Sequence, residues 1–148
     1  MFRWALFVLL VTSTRSIKRS IVNTADAPAA IGPYSQGVVL TFKSGDVMVQ
    51  AAGQIGLDPK TGELVPGGIT NQTHQVMQNI KAIMTAAGAK MSEIVECTVL
   101  MADISEYAAL NEVYASYFEA SNAPARAAFQ VAALPKDART EIKCSAAF

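Results

Sequence analysis

The sequence predicts a single α+β domain in which two helices pack on one face of a mixed β-sheet. Three observations lead to this fold class. Strand and helix patterns follow each other in the order β-β-β-α-β-α-β-β, and helices between strands indicate crossover connections. Each helix carries one apolar stripe, so both are expected on the same face of the sheet. The 148 residues are enough to bury one core without metals or disulfides.

The first half of the chain predicts three strands and a helix. A short strand over Ser20–Asn23 precedes a loop rich in Pro and Gly. Val38–Phe42 and Val47–Ala52 are apolar and β-branched, and the four-residue turn between them indicates a hairpin. A second loop, Gly53–Gly68, follows. Apolar residues at helical spacing then predict a helix over Thr70–Ala87.

The second half predicts three strands and a second helix. Ile94–Met101 is a strand, and the helix that follows runs from Ser105, the expected N-cap, to about Ala120. Ala125–Ala133 and Arg139–Phe148 close the chain as two strands. Because both helices cover one face of the sheet, the other face needs a cover, and a second copy of the chain is the simplest one.

The first twenty residues are interpreted as a targeting segment, which leaves residues 21–148 as the folded domain. The apolar stretch Trp4–Val11 is too short to cross a bilayer, which needs roughly 20 residues, so no stable membrane insertion is expected. Arg3 ahead of this stretch fits a secretory signal peptide. The presence of Arg, Ser and Thr and the absence of Asp and Glu fit an organellar transit peptide, but the apolar residues are bunched together, which favours the signal peptide.

The charge of the domain argues against nucleic acid as a partner. Four of the 12 basic residues lie in the first twenty positions and none of the 12 acidic residues does. Residues 21–148 therefore carry 8 basic and 12 acidic side chains, a net charge of −4. A domain of this sign has no overall attraction for a phosphate backbone.

Residue types that bind metals or nucleotides are scarce. Cys97 and Cys144 do not make a disulfide framework, and each lies among apolar neighbours in a predicted strand, so both are interpreted as small buried hydrophobes. His74 is expected on a helix surface. Zinc needs about three or four ligands, and the sequence shows no such cluster. The chain also has neither a P-loop nor a G-x-G-x-x-G pattern, the two glycine-rich motifs that bind nucleotides. We therefore expect no metal and no cofactor.

Arg126 is the most informative residue, because it is the only charge in a strand of small and apolar residues. Strand alternation places it on the same face as Ala128. An arginine there is paired or reaches solvent, since burial of an unpaired charge is costly. Its partner is either a carboxylate of the chain such as Glu141, or a ligand carboxylate that takes two hydrogen bonds from the guanidinium.

Three further positions are candidates for the same chemistry. Glu141 faces away from the core side of its strand, either as a solvated carboxylate or as a proton acceptor for water in a dry cleft. Tyr34 lies in a loop of Gly and Pro, where an aromatic ring either anchors the loop or serves function. Gly53 begins a stretch interpreted as a bend leaving the strand, and a glycine there also lets a ligand approach the backbone.

Four segments occur in an order that resembles one family: Ala29-Ala30-Ile31-Gly32-Pro33-Tyr34-Ser35-Gln36, Ala52-Gly53-Gln54-Ile55, Pro124-Ala125-Arg126 and Leu134-Pro135-Lys136-Asp137. Together they resemble the RidA family, also called YjgF-related proteins, from about residue 20 to the end of the chain. The resemblance implies a chorismate-mutase-like fold and a homotrimer with sites in the clefts between subunits. It also implies deamination of reactive enamines and imines, such as 2-aminoacrylate and 2-iminobutanoate, to 2-oxo acids and ammonia without a cofactor.

The resemblance also implies roles for individual residues. Arg126 corresponds to the arginine that binds the substrate carboxylate, and Glu141 to the acidic residue that positions or activates water. Tyr34 and Gly53 correspond to residues that line the pocket, and Asn111 to an asparagine on the pocket side.

Two positions depart from the family pattern. Ala52 stands where a serine is frequent, and Ala128 stands where a cysteine often follows the arginine by two. The backbone of residue 128 keeps its place in the pocket, but substrate preference and rate are expected to differ.

Two other functions remain open. Family members have been described as ribonucleases or translation inhibitors, and the chain could instead be a catalytically weak module that binds small carboxylates through Arg126. Imine substrates arise where amino acids are metabolised, so the mitochondrion or another organelle suits this chemistry, with secretion and the cytosol as alternatives.

Overall fold

The computed structural model describes residues 17–148. Within them the chain forms seven strands and two α-helices, and their order confirms the α+β class with one strand more than predicted. In chain order the elements are β1 (Lys18–Val22), β2 (Gly37–Thr41), β3 (Val47–Ala51), β4 (Gln54–Ile55), α1 (Gly68–Ala86), β5 (Ile94–Met101), α2 (Tyr107–Ala115), β6 (Ala125–Gln130) and β7 (Thr140–Ala147).

The strands form one mixed sheet in the order β1-β2-β3-β7-β5-β6. The predicted hairpin is confirmed, since β2 and β3 are antiparallel with Val39 opposite Val49. Only β5 and β6 are parallel, and α2 forms the crossover between them. All other pairs along the sheet are antiparallel.

The short strand β4 corrects the interpretation of residues 53–56 as a simple bend. Gln54 and Ile55 lie opposite Ile142 and Glu141 of β7. Strand β3 pairs only with the last part of β7, from Ser145 onward. The earlier part of β7 is therefore free on that side, and β4 supplies its backbone partner there.

The core lies between the sheet and the two helices, as the single apolar stripes predict. Met77, Ile80, Ile83 and Met84 of α1 are fully buried, and Leu110 of α2 joins them. Burial of such side chains is the main favourable contribution to folding. Both helices therefore pack on one face of the sheet, in agreement with the sequence prediction.

Helix α2 begins later and ends earlier than predicted. Ser105 is not the N-cap: it lies in a short 3₁₀ turn, and its backbone N–H donates to Oδ1 of Asp103 at 2.9 Å. The aspartate takes the capping role because its carboxylate reaches a free N–H at the start of the turn. Tyr117 and Phe118 lie beyond the end of α2 but still pack against the core.

Cys97 and Cys144 form a disulfide, which corrects their interpretation as separate buried thiols. They lie directly opposite each other in β5 and β7, with their Cα atoms 4.1 Å apart. Both are buried, as predicted. The pairing depends on the register between two strands 47 residues apart in sequence, which the spacing of two cysteines alone does not reveal.

The first strand begins inside the segment assigned to targeting. Lys18, Arg19 and Ser20 pair with Thr41, Leu40 and Val39 of β2, so these three residues belong to the sheet. Residues 1–16, which hold most of the predicted targeting segment, lie outside the described residues. From residue 17 onward, no helix is long and apolar enough to cross a membrane.

The face of the sheet opposite the helices carries exposed apolar side chains among polar ones such as Thr98 and Lys143. Ile21 and Phe129 on this face are 60% and 56% exposed, and several aliphatic side chains beside them are only half-buried. We call this surface the open face, and its half-buried apolar residues are Val38, Leu40, Met48 and Leu100.

Candidate active site

Arg126 and Glu141, the two residues predicted to carry the chemistry, lie on opposite faces of the sheet. Glu141 lies opposite Leu100, and Leu100 lies beside Phe129, so these three residues share the open face. Arg126 is three residues before Phe129 in β6 and therefore faces the helices. An ion pair between Arg126 and Glu141 of the same chain, one of the sequence hypotheses, is wrong.

Glu141 lines a cavity of about 280 Å³ that we call the glutamate pocket. Three of the predicted site residues meet there, because the loop before β2, the turn after β3 and strand β7 converge at one end of the sheet. Its lining consists of Ile31, Tyr34, Ala52, Gly53, Ile55, Pro135 and Glu141.

The carboxyl of Glu141 is half-buried and has no hydrogen bond or ion pair within residues 17–148. Burial raises its pKa above the ordinary glutamate value, because desolvation penalises the charged form. A carboxyl with a raised pKa and no partner is able to exchange a proton with a bound molecule.

Gly53 is the residue that makes room for this carboxyl. A Cβ atom built on Gly53 would overlap Oε1 of Glu141 and crowd the rest of its carboxyl group. Every other residue type would therefore displace the glutamate side chain. The glycine predicted to let a ligand approach the backbone is required in this structure for the approach of a neighbouring side chain.

A buried glutamine holds the loop that carries Tyr34. Oε1 of Gln36 accepts from the Thr24 N–H at 2.7 Å, and its Nε2 donates to the Pro28 carbonyl at 2.8 Å. The Tyr34 hydroxyl accepts from the Ile31 N–H at 3.2 Å, so the ring also anchors its own loop. Sequence reasoning quoted Gln36 only as part of a motif and missed this positioning role.

Arg126 lines a second cavity, of about 340 Å³, on the helix side of the sheet. We call it the arginine pocket. Apart from Arg126 and Asn111 its walls are mostly small and aromatic residues, so the guanidinium is the strongest polar group there. Its lining consists of Asn111, Tyr114, Ala115, Phe118, Ala120, Ala123, Pro124 and Arg126.

Three residues of α2 hold the guanidinium of Arg126. Its Nη2 donates to the Tyr107 hydroxyl at 2.5 Å and to Oδ1 of Asn111 at 2.8 Å. The ring of Tyr114 lies under the guanidinium, with Cζ 4.5 Å from the ring centroid, which is cation–π distance. Burial raises the pKa of the Tyr114 hydroxyl to about 12, although the charge of Arg126 lowers it in part.

Sequence analysis singled out Asn111 but missed Tyr107 and Tyr114. The three positions are spaced i, i+4 and i+7, which places them on one face of a helix, and that spacing was the available signal. Ala128, the last of the six predicted site residues, lies on the same sheet face as Arg126 and packs against the core.

The described residues contain no group of three or more His, Cys, Asp or Glu side chains that could hold a metal ion. His74 is exposed, as predicted, and its Nδ1 lies 3.2 Å from the Tyr117 hydroxyl. The side-chain polar groups that line the two pockets are an arginine, a carboxyl, an amide and tyrosine hydroxyls. Such groups bind anions and transfer protons.

Comparison with known proteins identifies the family. A family model described as Endoribonuclease L-PSP matches residues 24–148. The chain belongs to this family, which includes RidA and YjgF-related proteins. Membership in the RidA/YjgF family confirms the resemblance predicted from the four segments.

Named relatives cover nearly the whole domain. A protein of Capra hircus named 2-iminobutanoate/2-iminopropanoate deaminase is 50% identical over 131 residues, which are 88% of this chain and 91% of the relative. The chloroplastic Reactive Intermediate Deaminase A of Arabidopsis thaliana is 42% identical, over 95% of this chain and 72% of its own. The crystal structure of E. coli TdcF with bound serine superposes with a TM-score of 0.75 at 40% identity, over 86% and 97% of the two chains.

Proposed function

We propose that this chain is a hydrolytic deaminase of reactive 2-enamino and 2-imino acids, which it converts to 2-oxo acids and ammonia. The observation that carries the proposal is the unpaired, half-buried carboxyl of Glu141, whose pKa is raised by burial. A carboxyl in this state suits a general base that activates water. The name of the goat relative, 2-iminobutanoate/2-iminopropanoate deaminase, supports the same reaction.

The reaction needs a positioned electrophile and an activated water. The enamine first tautomerises to the imine, whose C2 carbon is electrophilic. Arg126 binds the substrate carboxylate and orients C2 toward the water. Water adds to C2 while Glu141 accepts one of its protons and passes it to the nitrogen. The carbinolamine hydroxyl then gives its proton to the nitrogen, through Glu141, as the C–N bond breaks and the C=O bond forms, which releases ammonia and leaves the 2-oxo acid.

The separation of Arg126 and Glu141 supports a site assembled from two chains. One subunit would provide the arginine pocket, and a neighbour would provide the glutamate pocket with Tyr34 and Gly53. Because the two pockets lie on opposite faces of the sheet, one neighbour does not serve both. Contacts between unlike surfaces give a closed ring when the rotation between neighbours closes, and an open filament when it does not; we propose the closed ring, a homotrimer.

The open face supports the same assembly. It exposes Ile21 in β1 and Phe129 in β6, and a second copy of the chain would remove these apolar side chains from water. A second copy of the chain covers it without any further partner. The assembly is measured by sedimentation of the full chain, for which we expect three times the mass of one chain.

The solved relative with bound serine bears on the ligand class. Serine is the ligand named for the E. coli TdcF structure. Like the proposed substrates, it carries a carboxylate on the carbon atom that bears the nitrogen. An arginine pocket with an apolar wall would bind a small 2-amino or 2-imino acid through its carboxylate.

The proposed activity is tested by trapping the imine in a coupled assay. A threonine or serine dehydratase generates the intermediate, and semicarbazide competes for it. We expect the full chain to suppress the trapped adduct and to release 2-oxobutanoate or pyruvate faster than no protein. Failure of the wild-type chain to change either quantity would contradict the proposal and favour a module that only binds carboxylates.

Arg126 provides the matched variants for this assay. Arg126→Lys keeps the positive charge but loses the planar pair of N–H groups, so we expect it to lose most of the activity. Arg126→Ala should lose all of it. Full turnover by the lysine variant would overturn the role of the arginine, while loss in both variants with an unchanged circular dichroism spectrum would support it.

The family description as an endoribonuclease keeps RNA cleavage as the other candidate. The net charge of −4 over residues 21–148 does not favour it, since RNA sites combine basic grooves with stacking aromatic residues. Cleavage of RNA that persists in high salt and is lost in Glu141→Gln would revive this candidate.

We also propose that the first residues target the chain to an organelle where amino acids are degraded. The chloroplastic name of the Arabidopsis relative supports an organellar address. The Cys97–Cys144 disulfide favours the secretory alternative instead, since disulfides persist in oxidising compartments. Fractionation of the source cells, with sequencing of the mature N-terminus, decides between the two.

A further inference from the structure

The hydrogen bonds of Arg126 restrict how it can bind a carboxylate. A guanidinium offers five N–H groups, two on each Nη and one on Nε. A carboxylate is bound by two parallel N–H groups on one edge of the fork. The edges that present such a pair are Nη1 with Nη2 and Nε with Nη2, so Nη2 belongs to both.

Both N–H groups of Nη2 already have acceptors in this structure. One donates to the Tyr107 hydroxyl at 2.5 Å and the other to Oδ1 of Asn111 at 2.8 Å. The guanidinium therefore has no free edge for a two-point contact with a carboxylate. One of the two acceptors has to leave Nη2 before such a contact forms.

Tyr107 is the acceptor that can leave. Tyr107 is 38% exposed at the start of α2, so its hydroxyl finds new hydrogen-bond partners in water after rotation. Its ring lies 5.4 Å from Cζ of Arg126, farther than the 4.5 Å of Tyr114, so rotation breaks the longer of the two ring contacts. Asn111 is less exposed and lies deeper in the arginine pocket. A neutral hydroxyl is also a weaker acceptor for a guanidinium than a carboxylate, so the exchange favours the ligand.

We infer that Tyr107 is a specificity-determining residue that occupies one N–H of Arg126 in the free protein and yields it to an incoming carboxylate. This inference rests on the proposed function only in that Arg126 binds the ligand carboxylate. A ligand with two acceptor oxygens replaces the lost hydrogen bond between Nη2 and the Tyr107 hydroxyl with one of its own. A ligand with one acceptor oxygen uses Nη1 or Nε and gains nothing from displacing Tyr107.

The test compares Tyr107→Phe with the wild-type full chain by calorimetric titration. The probes are 2-oxobutanoate, which has a carboxylate, and 2-oxobutanamide, which has a single amide oxygen in its place. We expect the Kd for 2-oxobutanoate to fall by about 3- to 10-fold, a part of what one hydrogen bond to a charged group contributes, while the Kd for the amide stays unchanged. In the imine assay the same variant should lower KM and leave kcat unchanged.

The matched control is Tyr117→Phe, which removes a hydroxyl that bonds the His74 carbonyl at 3.2 Å on another part of the surface. It should change neither Kd. An unchanged or raised Kd of Tyr107→Phe for 2-oxobutanoate would overturn the inference, as would an equal gain for both probes or no binding by either protein. If Tyr107→Phe tightens 2-oxobutanoate but no variant hydrolyses an imine, the proposed function fails and the inference stands.

Discussion

The carboxyl group of Glu141 occupies the space in which any residue other than glycine at position 53 would carry its Cβ atom. The two residues belong to different elements, the turn between β3 and β4 and the strand β7. A backbone position and a side chain are thereby coupled at the most reactive point of the glutamate pocket.

Gly53→Ala should lower the activity by about 10²-fold, the loss typical of displacing a reacting group by ~1 Å. The fold should survive, because the displaced atoms are the end of a side chain. Steady-state kinetics measures the effect. In the Glu141→Asp background, where the carboxyl is one methylene shorter, the added loss from Gly53→Ala should be smaller; an equal loss in both backgrounds would show that the overlap is irrelevant.

The raised pKa of Glu141 predicts the acid side of the pH profile. A general base works only when deprotonated, so kcat/KM should rise with pH through a pKa above the ordinary value of 4.5 for this carboxyl. Glu141→Gln should lower kcat/KM by about 10²- to 10⁴-fold and remove this limb. A limb that persists in the glutamine variant would assign it to another group.

The same pKa predicts a pH-dependent difference in stability between Glu141→Gln and the wild type. Below the ordinary carboxyl pKa, Glu141 is protonated in both folded and unfolded chains, and burial has no ionic cost. As the pH rises through the raised pKa of the folded state, the unfolded chain has already lost this proton, so the wild type loses stability. Urea unfolding at several pH values should show the glutamine variant gaining relative to the wild type as the pH rises.

The proposed division of the site between two chains predicts complementation. Arg126→Ala and Glu141→Gln should each be inactive alone, yet a mixed assembly joins the intact arginine of one chain with the intact glutamate of the other. Random mixing gives both intact halves at one interface in four, so about a quarter of the wild-type activity should return. The mixture is prepared by co-expression. A mixture that stays inactive would contradict a site shared between two chains.

The Cys97–Cys144 disulfide predicts a loss of stability on its removal. The bridge joins residues 47 apart in sequence, and the chain-entropy estimate for a loop of that length is about 4 kcal/mol. In urea unfolding, the double variant with alanine at both positions should have a free energy of unfolding that is lower by about this amount. Reduced wild-type protein keeps both cysteine side chains and lacks only the S–S bond, so its stability separates the effect of the cross-link from that of packing. Two free thiols in denatured protein that has not been reduced would contradict the bridge.

Local patterns were sufficient to predict most of the fold. The β2–β3 hairpin and α1 follow from alternation and helical spacing over residues close in sequence. Strand β4 could not be predicted, because the two residues of Gln54–Ile55 show no period and form a strand only beside the free part of β7. The disulfide was missed for the same reason, since it depends on the register between β5 and β7.

The candidate site was predictable as a set of residue types but not as a geometry. A lone arginine among small residues marked Arg126, and the family motifs marked Glu141, Tyr34 and Gly53. Their distribution over two faces of the sheet follows from pairing between distant strands. The contacts of Tyr107 and Tyr114 with Arg126 depend on how α2 lies over β6, and no local pattern fixes that crossing.

The placement of the two pockets on opposite faces has a consequence for stoichiometry. An open pair of chains would match one arginine pocket with one glutamate pocket and leave one unmatched half on each chain, so it would bind one ligand for two chains. A closed ring leaves no half unmatched and binds one ligand for every chain. The number of ligands bound per chain therefore reports whether the ring is closed, independently of its mass.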